Sequence, residues 1–147
     1  MTLLLVRHAV ALRRSDWTKP DHLRPLSPRG YAQAEALPSV LADLGVDRIL
    51  SSGSTRCVET VQPLAAKLGV PVEELPQLAE GADADAADLL RALDGVVVAC
   101  SHGDVIPALL SVLAPRLVAS GEVECEKGST WVLADGGAEP RYLPPPA

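Results

Sequence analysis

Short apolar segments that alternate with helical patterns are the feature of this sequence that most constrains its fold. The segments at 3–6, 48–50 and 95–100 have the length of β-strands, and the first and last are apolar throughout, as in strands buried on both faces. Between them, aliphatic residues recur at helical spacing over 27–45 and 54–69. This alternation predicts an α/β fold, a three-layer α/β/α sandwich with a mostly parallel central sheet.

The predicted helices have recognisable ends. Ser27 can cap the first helix with Pro28 in its first turn, and Gly45 and Gly69 are placed to end the first and second helices. Prolines inside both helices predict kinks or interruptions. Further apolar patterns predict a third and a fourth helix and a last strand, at 89–93, 105–113 and 130–133 respectively.

Length and composition predict one domain with an aliphatic core. At 147 residues the chain is the size of a single domain, and the absence of Phe leaves Leu, Val, Ile and Ala to fill its interior. We place the domain at 1–137 and interpret 138–147, which is rich in proline, as a C-terminal tail.

Charge and cysteine usage exclude several classes of protein. The net charge is −6 and no basic run is present, so no nucleic-acid polymer is expected as a partner. No apolar run approaches the roughly 20 residues of a membrane span, so no membrane association is expected. Cys57, Cys100 and Cys125 lack the spacing of a zinc site, which favours three thiols in a reducing compartment and a cytoplasmic location. The sequence carries no signal for an oligomeric state.

Polar residues follow three of the predicted strands. Arg7 and His8 come directly after the first strand, the segment 51–56 follows the second, and Ser101 and His102 follow the strand at 95–100. Ligands of open α/β sheets bind beyond the carboxyl ends of parallel strands. We therefore expect these residues to meet at one edge of the sheet.

This combination of residues suits phosphoryl transfer. A neutral imidazole such as His8 is a nucleophile at phosphorus, and Arg7 and Arg56 can bind the charged oxygens in pairs. A protonated His102 would add a donor, and Gly103 opens the next predicted helix, whose first amides can bind an anion. Taken alone, each of these residues would more often be solvated or satisfied locally; it is their joint occurrence at three strand ends that indicates a site.

The motifs resemble those of the histidine phosphatase (phosphoglycerate-mutase-like) superfamily. Leu4-Leu5-Val6-Arg7-His8-Ala9 is similar to its Arg-His-Gly signature, and Cys100-Ser101-His102-Gly103 to its second-histidine motif. The segment 51–60 is similar to its Ser-Ser-Pro-x-x-Arg-Ala-x-x-Thr motif, and 21–30 to a stretch of its short, SixA-like branch. The sequence departs from the family at Ala9 for Gly and at Gly53 for Pro. The resemblance covers roughly residues 3 to 134.

The resemblance implies a phosphohistidine on His8, with Arg7, Arg56 and His102 around the phosphoryl group and no metal or cofactor. In many family members a Glu after the second helix protonates the leaving oxygen. Glu80 lies at about that place, with Glu73 and Glu74 as rivals, and SixA-like members manage without it. Arg24 either serves the substrate pocket or pairs with Asp21. Arg13 and Arg14 are interpreted as solvated, with a pocket entrance as the alternative.

The implied function is that of a phosphatase. Short loops favour an open site for a phosphomonoester, a nucleotide or a protein phosphohistidine, so a phosphorylated small molecule or phosphoprotein is the expected partner. The segments 100–107 and 127–133 are also similar to the C-terminal domain of actinobacterial MutT-type Nudix hydrolases, which makes nucleotides plausible. The alternative is a catalytically weak module of the same fold that binds phosphate or a partner. A Rossmann-type cofactor domain is disfavoured, because no GxGxxG follows the first strand.

Overall fold

A computed structural model of the chain describes residues 1–135 and 138–146. Its strands form one mixed sheet in the order β3-β2-β4-β1-β5-β6. Strands β1 to β4 run parallel, whereas β5 is antiparallel to both β1 and β6. The strands are β1 (Thr2–Arg7), β2 (Arg48–Ser51), β3 (Val72–Glu74), β4 (Val96–Ser101), β5 (Thr130–Ala134) and β6 (Arg141–Leu143); the helices are α1 (Pro28–Leu41), α2 (Thr55–Leu68), α3 (Ala87–Arg91), α4 (Val105–Leu113) and α5 (Pro115–Ala119).

Alternate side chains of the central strands fill two separate cores, one on each face of the sheet. In β1, Leu3 and Leu5 belong to the core beneath α3 and α4. Leu4 and Val6 point to the opposite face and belong to the core beneath α1 and α2. All four are at most 1 % exposed, as expected for a strand buried on both faces. The predicted three-layer α/β/α sandwich is therefore confirmed.

The helix signals predicted from sequence are present. Ser27 Oγ accepts a hydrogen bond from Gly30 N at 3.1 Å, and Pro28 is the first residue of α1. Gly69 follows α2 directly, with a left-handed φ angle of 69°. Gly45, predicted to end the first helix, instead ends a 3₁₀ turn over Ala42–Leu44 that follows α1, and its φ angle is 73°. α1 continues past Pro38 and α2 past Pro63, so neither proline ends its helix. No helix in the described part of the chain is long and apolar enough to cross a bilayer.

Two expectations need correction. Residues 138–147 are not simply a tail, because Arg141–Leu143 adds β6 to the sheet, and the proposed boundary at 137 lies outside the described residues. Proline is tolerated beside an edge strand. This strand is anchored by Tyr142, whose ring packs against Trp131 at 5.1 Å between centroids. In addition, α4 begins at Val105 and not at Gly103.

Candidate active site

Strand register brings the three polar segments together. β4 lies between β1 and β2, with Arg7 opposite Ser101 and Ser51 opposite Cys100. Backbone hydrogen bonds to β4 continue for one residue beyond the ends of β1 and β2. His8 N donates to Ser101 O at 3.0 Å, and Ser52 N donates to Cys100 O at 2.9 Å. His8, Ser52 and His102 thus leave the same sheet edge side by side.

His8 is buried and held in one tautomer. It is 7 % exposed, and its Nδ1 lies 2.7 Å from the carbonyl oxygen of Ala9. In the neutral ring Nδ1 carries the proton for this bond, which leaves a lone pair on Nε2. Burial lowers the pKa of His8 to about 3, and the charges of His102, Arg56 and Arg7 act in the same direction, against the carbonyl of Ala9. The imidazole is therefore uncharged at neutral pH.

His102 lies beside His8, with ring centroids 5.5 Å apart and the rings inclined at 65°. Its Nε2 is 2.9 Å from Ser52 Oγ, and its Nδ1 is 3.4 Å from Nη2 of Arg56. A proton on Nε2 satisfies both contacts, with Ser52 as acceptor and Arg56 as donor. The donor that the sequence analysis expects from His102 requires a further proton on Nδ1, which lies 3.7 Å from a Glu80 oxygen.

Arg56 is the largest fully buried side chain of the described residues and is 1 % exposed. Its Nη1 donates to the carbonyl oxygen of Asp21 at 3.0 Å, and its Nη2 lies 3.3 Å from the Asp21 carboxylate. Nη2 also donates to Glu80 Oε2 at 2.5 Å. The side chains of Asp21 and Glu80 are 48 % and 43 % exposed, so the buried guanidinium of Arg56 is paired with two carboxylates that remain in contact with water.

Arg7 is positioned by a loop that lies far along the chain. Its Nη1 donates to the carbonyl oxygen of Cys125 at 2.6 Å. Gly128 N donates to the carbonyl oxygens of both Arg7 and His8 at 3.1 Å, and Arg7 N donates to Ser129 O at 3.0 Å. The segment 125–129 therefore holds the end of β1 in place through hydrogen bonds to Arg7 and His8. Among the described residues, Nε of Arg7 and Nε of Arg56 are buried without a partner, so both guanidinium groups retain unused donors.

The strand ends open into a cavity of about 570 Å³. Arg24 lines it and also donates to the Asp21 carboxylate at 3.0 Å and to Leu12 O at 2.6 Å, so the predicted pair with Asp21 is present in a residue that faces the cavity. Arg13 and Arg14 line it as well, and their side chains are 86% and 70% exposed, so they are solvated charges at the cavity entrance. The complete lining is Arg7, His8, Val10, Ala11, Leu12, Arg13, Arg14, Arg24, Arg56, Glu80, His102, Gly103, Asp104 and Lys127.

The candidate acid Glu80 belongs to this cavity, whereas its rivals do not line it. Glu73 forms an ion pair with Arg48 at 2.8 Å, and Glu74 lies against Gly53. Asp104 Oδ2 accepts from Gly81 N at 2.8 Å and so fixes the turn that presents Glu80.

Sequence reasoning did not find four groups that shape this site. Ser52 stands within a quoted motif, and its position directly after β2 was a usable signal. Asp21 was paired only with Arg24, although it also binds Arg56. Asp104 and Lys127 stand within quoted segments, but those segments indicated no role for either side chain, because their place depends on contacts between distant parts of the chain.

We expect Gly103→Ala to lower activity while leaving the fold stable. A Cβ on Gly103 would lie 2.6 Å from Cζ and 2.7 Å from Nη2 of Arg7. The end of a flexible arginine can move away at little cost in folding free energy, but the displaced guanidinium alters the arrangement of donors that line the cavity beside His8. A shift of this kind costs up to about 100-fold in kcat/KM. Steady-state kinetics with thermal unfolding measure both; equal activity, or activity lost together with the fold, contradicts the prediction.

Comparisons with known proteins agree with the geometry. A family model described as the histidine phosphatase superfamily (branch 1) matches residues 3–89. The chain is 40% identical over 160 aligned positions to the 8-oxo-(d)GTP phosphatase of Mycolicibacterium smegmatis. That alignment covers 99% of the chain and 48% of the relative, so the chain spans about half the length of this relative.

Solved structures share the fold. SixA from Agrobacterium tumefaciens superposes with a TM-score of 0.79 at 24% identity, covering 98% of each chain. SixA from Nakamurella multipartitia gives 0.78 at 24% identity, covering 99% of this chain and 96% of that one. At this level of identity the likeness supports the architecture alone.

Proposed function

Because the chain belongs to the histidine phosphatase superfamily, we propose that it is a phosphatase that works through a phosphohistidine on Nε2 of His8. The observation that carries the proposal is the neutral, buried imidazole of His8, tied through Nδ1 to Ala9 O at 2.7 Å and set in a cavity lined by arginines. The ring needs no base to become a nucleophile, since its lone pair on Nε2 is already free. No metal ion or cofactor has a part in the proposed reaction.

The proposed reaction has two steps. Nε2 of His8 forms a bond to phosphorus while the bond from phosphorus to the ester oxygen breaks, and that oxygen leaves as an alcohol once it gains a proton. Water then attacks phosphorus, the P–N bond breaks, and inorganic phosphate leaves with His8 restored. Arg7, Arg56 and His102 face the negative charge that spreads over the phosphoryl oxygens in both steps.

A nucleotide is the substrate class with independent support. The relative with 40% identity is named for a modified guanine nucleotide, although this chain spans only about half of its length. Other phosphomonoesters and protein phosphohistidines are further candidates. The three free thiols, two of them buried, support a reducing compartment, so the cytoplasm is the proposed location.

Trapping the intermediate tests the proposal directly. We expect a denaturing quench at alkaline pH during turnover of a labelled phosphomonoester to leave phosphate on His8, in an acid-labile linkage that peptide mass spectrometry under alkaline conditions locates. His8→Gln serves as the control without label. Phosphate on another residue, or turnover without any labelled protein, contradicts the proposed mechanism, and phosphate binding without turnover favours the catalytically weak module.

Glu80→Gln tests the proposed acid. A Glu80 side chain that carries a proton beside the bound phosphoryl group can donate it to the leaving oxygen, whereas a glutamine cannot. We expect the variant to lose about 100-fold in kcat on an alkyl phosphate and much less on p-nitrophenyl phosphate, whose leaving group needs little protonation. Kinetics on the two substrates measure the difference; equal losses on both would assign Glu80 to positioning Arg56.

A further inference from the structure

We propose that Lys127 forms a second anion subsite in this cavity, and that the preferred substrate is an organic diphosphate whose terminal phosphoryl group is transferred. The inference rests on the proposed function, because it concerns the substrate of the same site. It is drawn from the distribution of charge around the cavity, from the ion pairs that occupy its other cations, and from the backbone contacts that place Lys127 beside His8.

The cavity is strongly cationic in a protein that is acidic as a whole. Six cations line it against two carboxylates, whereas the net charge of the chain is −6. Arg7, Arg56 and a donor from His102 suffice for one phosphoryl group. The remaining cations exceed what a phosphomonoester requires, which indicates a second anionic group on the substrate.

Ion pairs within the chain separate Lys127 from the other outer cations. Each of the three outer arginines is held by a carboxylate: Arg13 by Asp16 at 3.4 Å, Arg14 by Glu80 at 3.3 Å and Arg24 by Asp21 at 3.0 Å. Within residues 1–135 and 138–146, Lys127 has no ion pair or hydrogen bond from its side chain, and its ammonium group is free to bind a ligand.

The backbone places Lys127 next to the nucleophile. Its neighbour Gly128 has a φ angle of 88° and donates its N–H to the carbonyl oxygens of Arg7 and His8. A side chain is disfavoured at this left-handed φ, so the glycine allows the loop to turn and present Lys127 at the cavity. A long flexible side chain anchored here reaches a group attached to the phosphoryl group at His8.

The surroundings of Lys127 favour an anion. Burial lowers the pKa of its ammonium group, and the nearby charges of Arg7, Arg24 and Arg14 lower it further. A second phosphate at this point would replace repulsion among four cations with attraction to all of them.

An organic diphosphate also fits the proposed chemistry. Nε2 of His8 would form a bond to the terminal phosphorus as the bond from that phosphorus to the bridging oxygen breaks. The electron pair stays with the bridging oxygen, and the monophosphate leaves. Water then releases inorganic phosphate from His8. A monophosphate is a good leaving group, so this reaction asks little of Glu80.

Matched substrates and variants test the inference. We would compare Lys127→Met with Lys67→Met, which removes the same charge from an exposed position on α2, and measure kcat/KM for guanosine 5′-diphosphate and guanosine 5′-monophosphate. We expect the wild type to prefer the diphosphate and Lys127→Met to reduce that preference by about tenfold, the value of one charge-assisted hydrogen bond. Lys67→Met should keep the wild-type preference.

A binding measurement separates this inference from the proposed function. Methylenebisphosphonate and methylphosphonate, which cannot be hydrolysed, would compete with p-nitrophenyl phosphate. The inhibition constant of methylphosphonate divided by that of methylenebisphosphonate should fall by about tenfold in Lys127→Met, because only the bisphosphonate loses a contact. A ratio that does not change, or a wild type without preference for two phosphates, overturns the subsite although turnover still depends on His8. If no turnover depends on His8, the proposed function itself fails.

Discussion

Replacing His8 with alanine is expected to lower kcat/KM for p-nitrophenyl phosphate on the order of 10⁴-fold, because the covalent route is lost. The loss should lie mainly in kcat, since the arginines proposed to bind the phosphoryl group remain. Steady-state kinetics at neutral pH measure it. The imidazole of His8 is neutral there, with a pKa lowered to about 3 by burial, so the wild type loses nothing to protonation of its nucleophile.

His22→Ala is the matched control for this change. His22 is exposed in the turn Asp21–Leu23 and does not line the cavity, so the same substitution there should leave kcat/KM within about twofold, as for most surface positions. Added imidazole should restore part of the activity of His8→Ala, since it can fill the space left by the ring and attack phosphorus in its place. Full activity in His8→Ala would show that another group is the nucleophile.

The sequence was sufficient to predict which residues meet at the centre of this candidate site, and the reason is physical. Apolar strands in a parallel sheet start and end in register, so polar residues that directly follow them must meet at one edge. Arg7, His8 and His102 each stand within one residue of a strand end, and Arg56 lies in the first turn of the helix after β2. Sheet geometry alone brings Arg7, His8 and His102 together, and strand patterns predict that geometry.

The outer part of the site depends on contacts that local patterns do not encode. The loop 125–129 reaches Arg7 across 118 residues of sequence through the Cys125 carbonyl, which any residue type provides. Asp21 holds Arg56 partly through its own carbonyl oxygen. Prolines on both sides of Arg141–Leu143 argued against a strand there, but the strand forms and is stabilised by the packing of Tyr142 on Trp131. Contacts made by backbone carbonyl groups, or by one pair of packed side chains, depend little on residue type, so the sequence pattern does not predict them.

Arg56→Met is expected to lower kcat/KM by about 10² to 10³-fold, the usual cost of removing a charged donor from a developing anion. Methionine keeps much of the length and the apolar stem of the buried side chain, so packing changes little. The carboxylates of Asp21 and Glu80 lose their partner but are about half exposed, and water can replace the guanidinium. The variant should therefore remain folded while its inhibition by inorganic phosphate weakens in parallel with activity.

Two further variants decide what Arg56 does. Arg48→Met removes an arginine from an exposed ion pair with Glu73 at the opposite end of β2, and it should leave activity and phosphate inhibition as they are. Arg56→Lys keeps the charge but loses the planar pair of donors, so its loss should lie between those of the wild type and Arg56→Met. If Arg56→Lys were as active as the wild type, charge alone would be enough. If Arg56→Met lost activity only together with its thermal unfolding transition, Arg56 would hold the loop through Asp21 and would not bind the phosphoryl group.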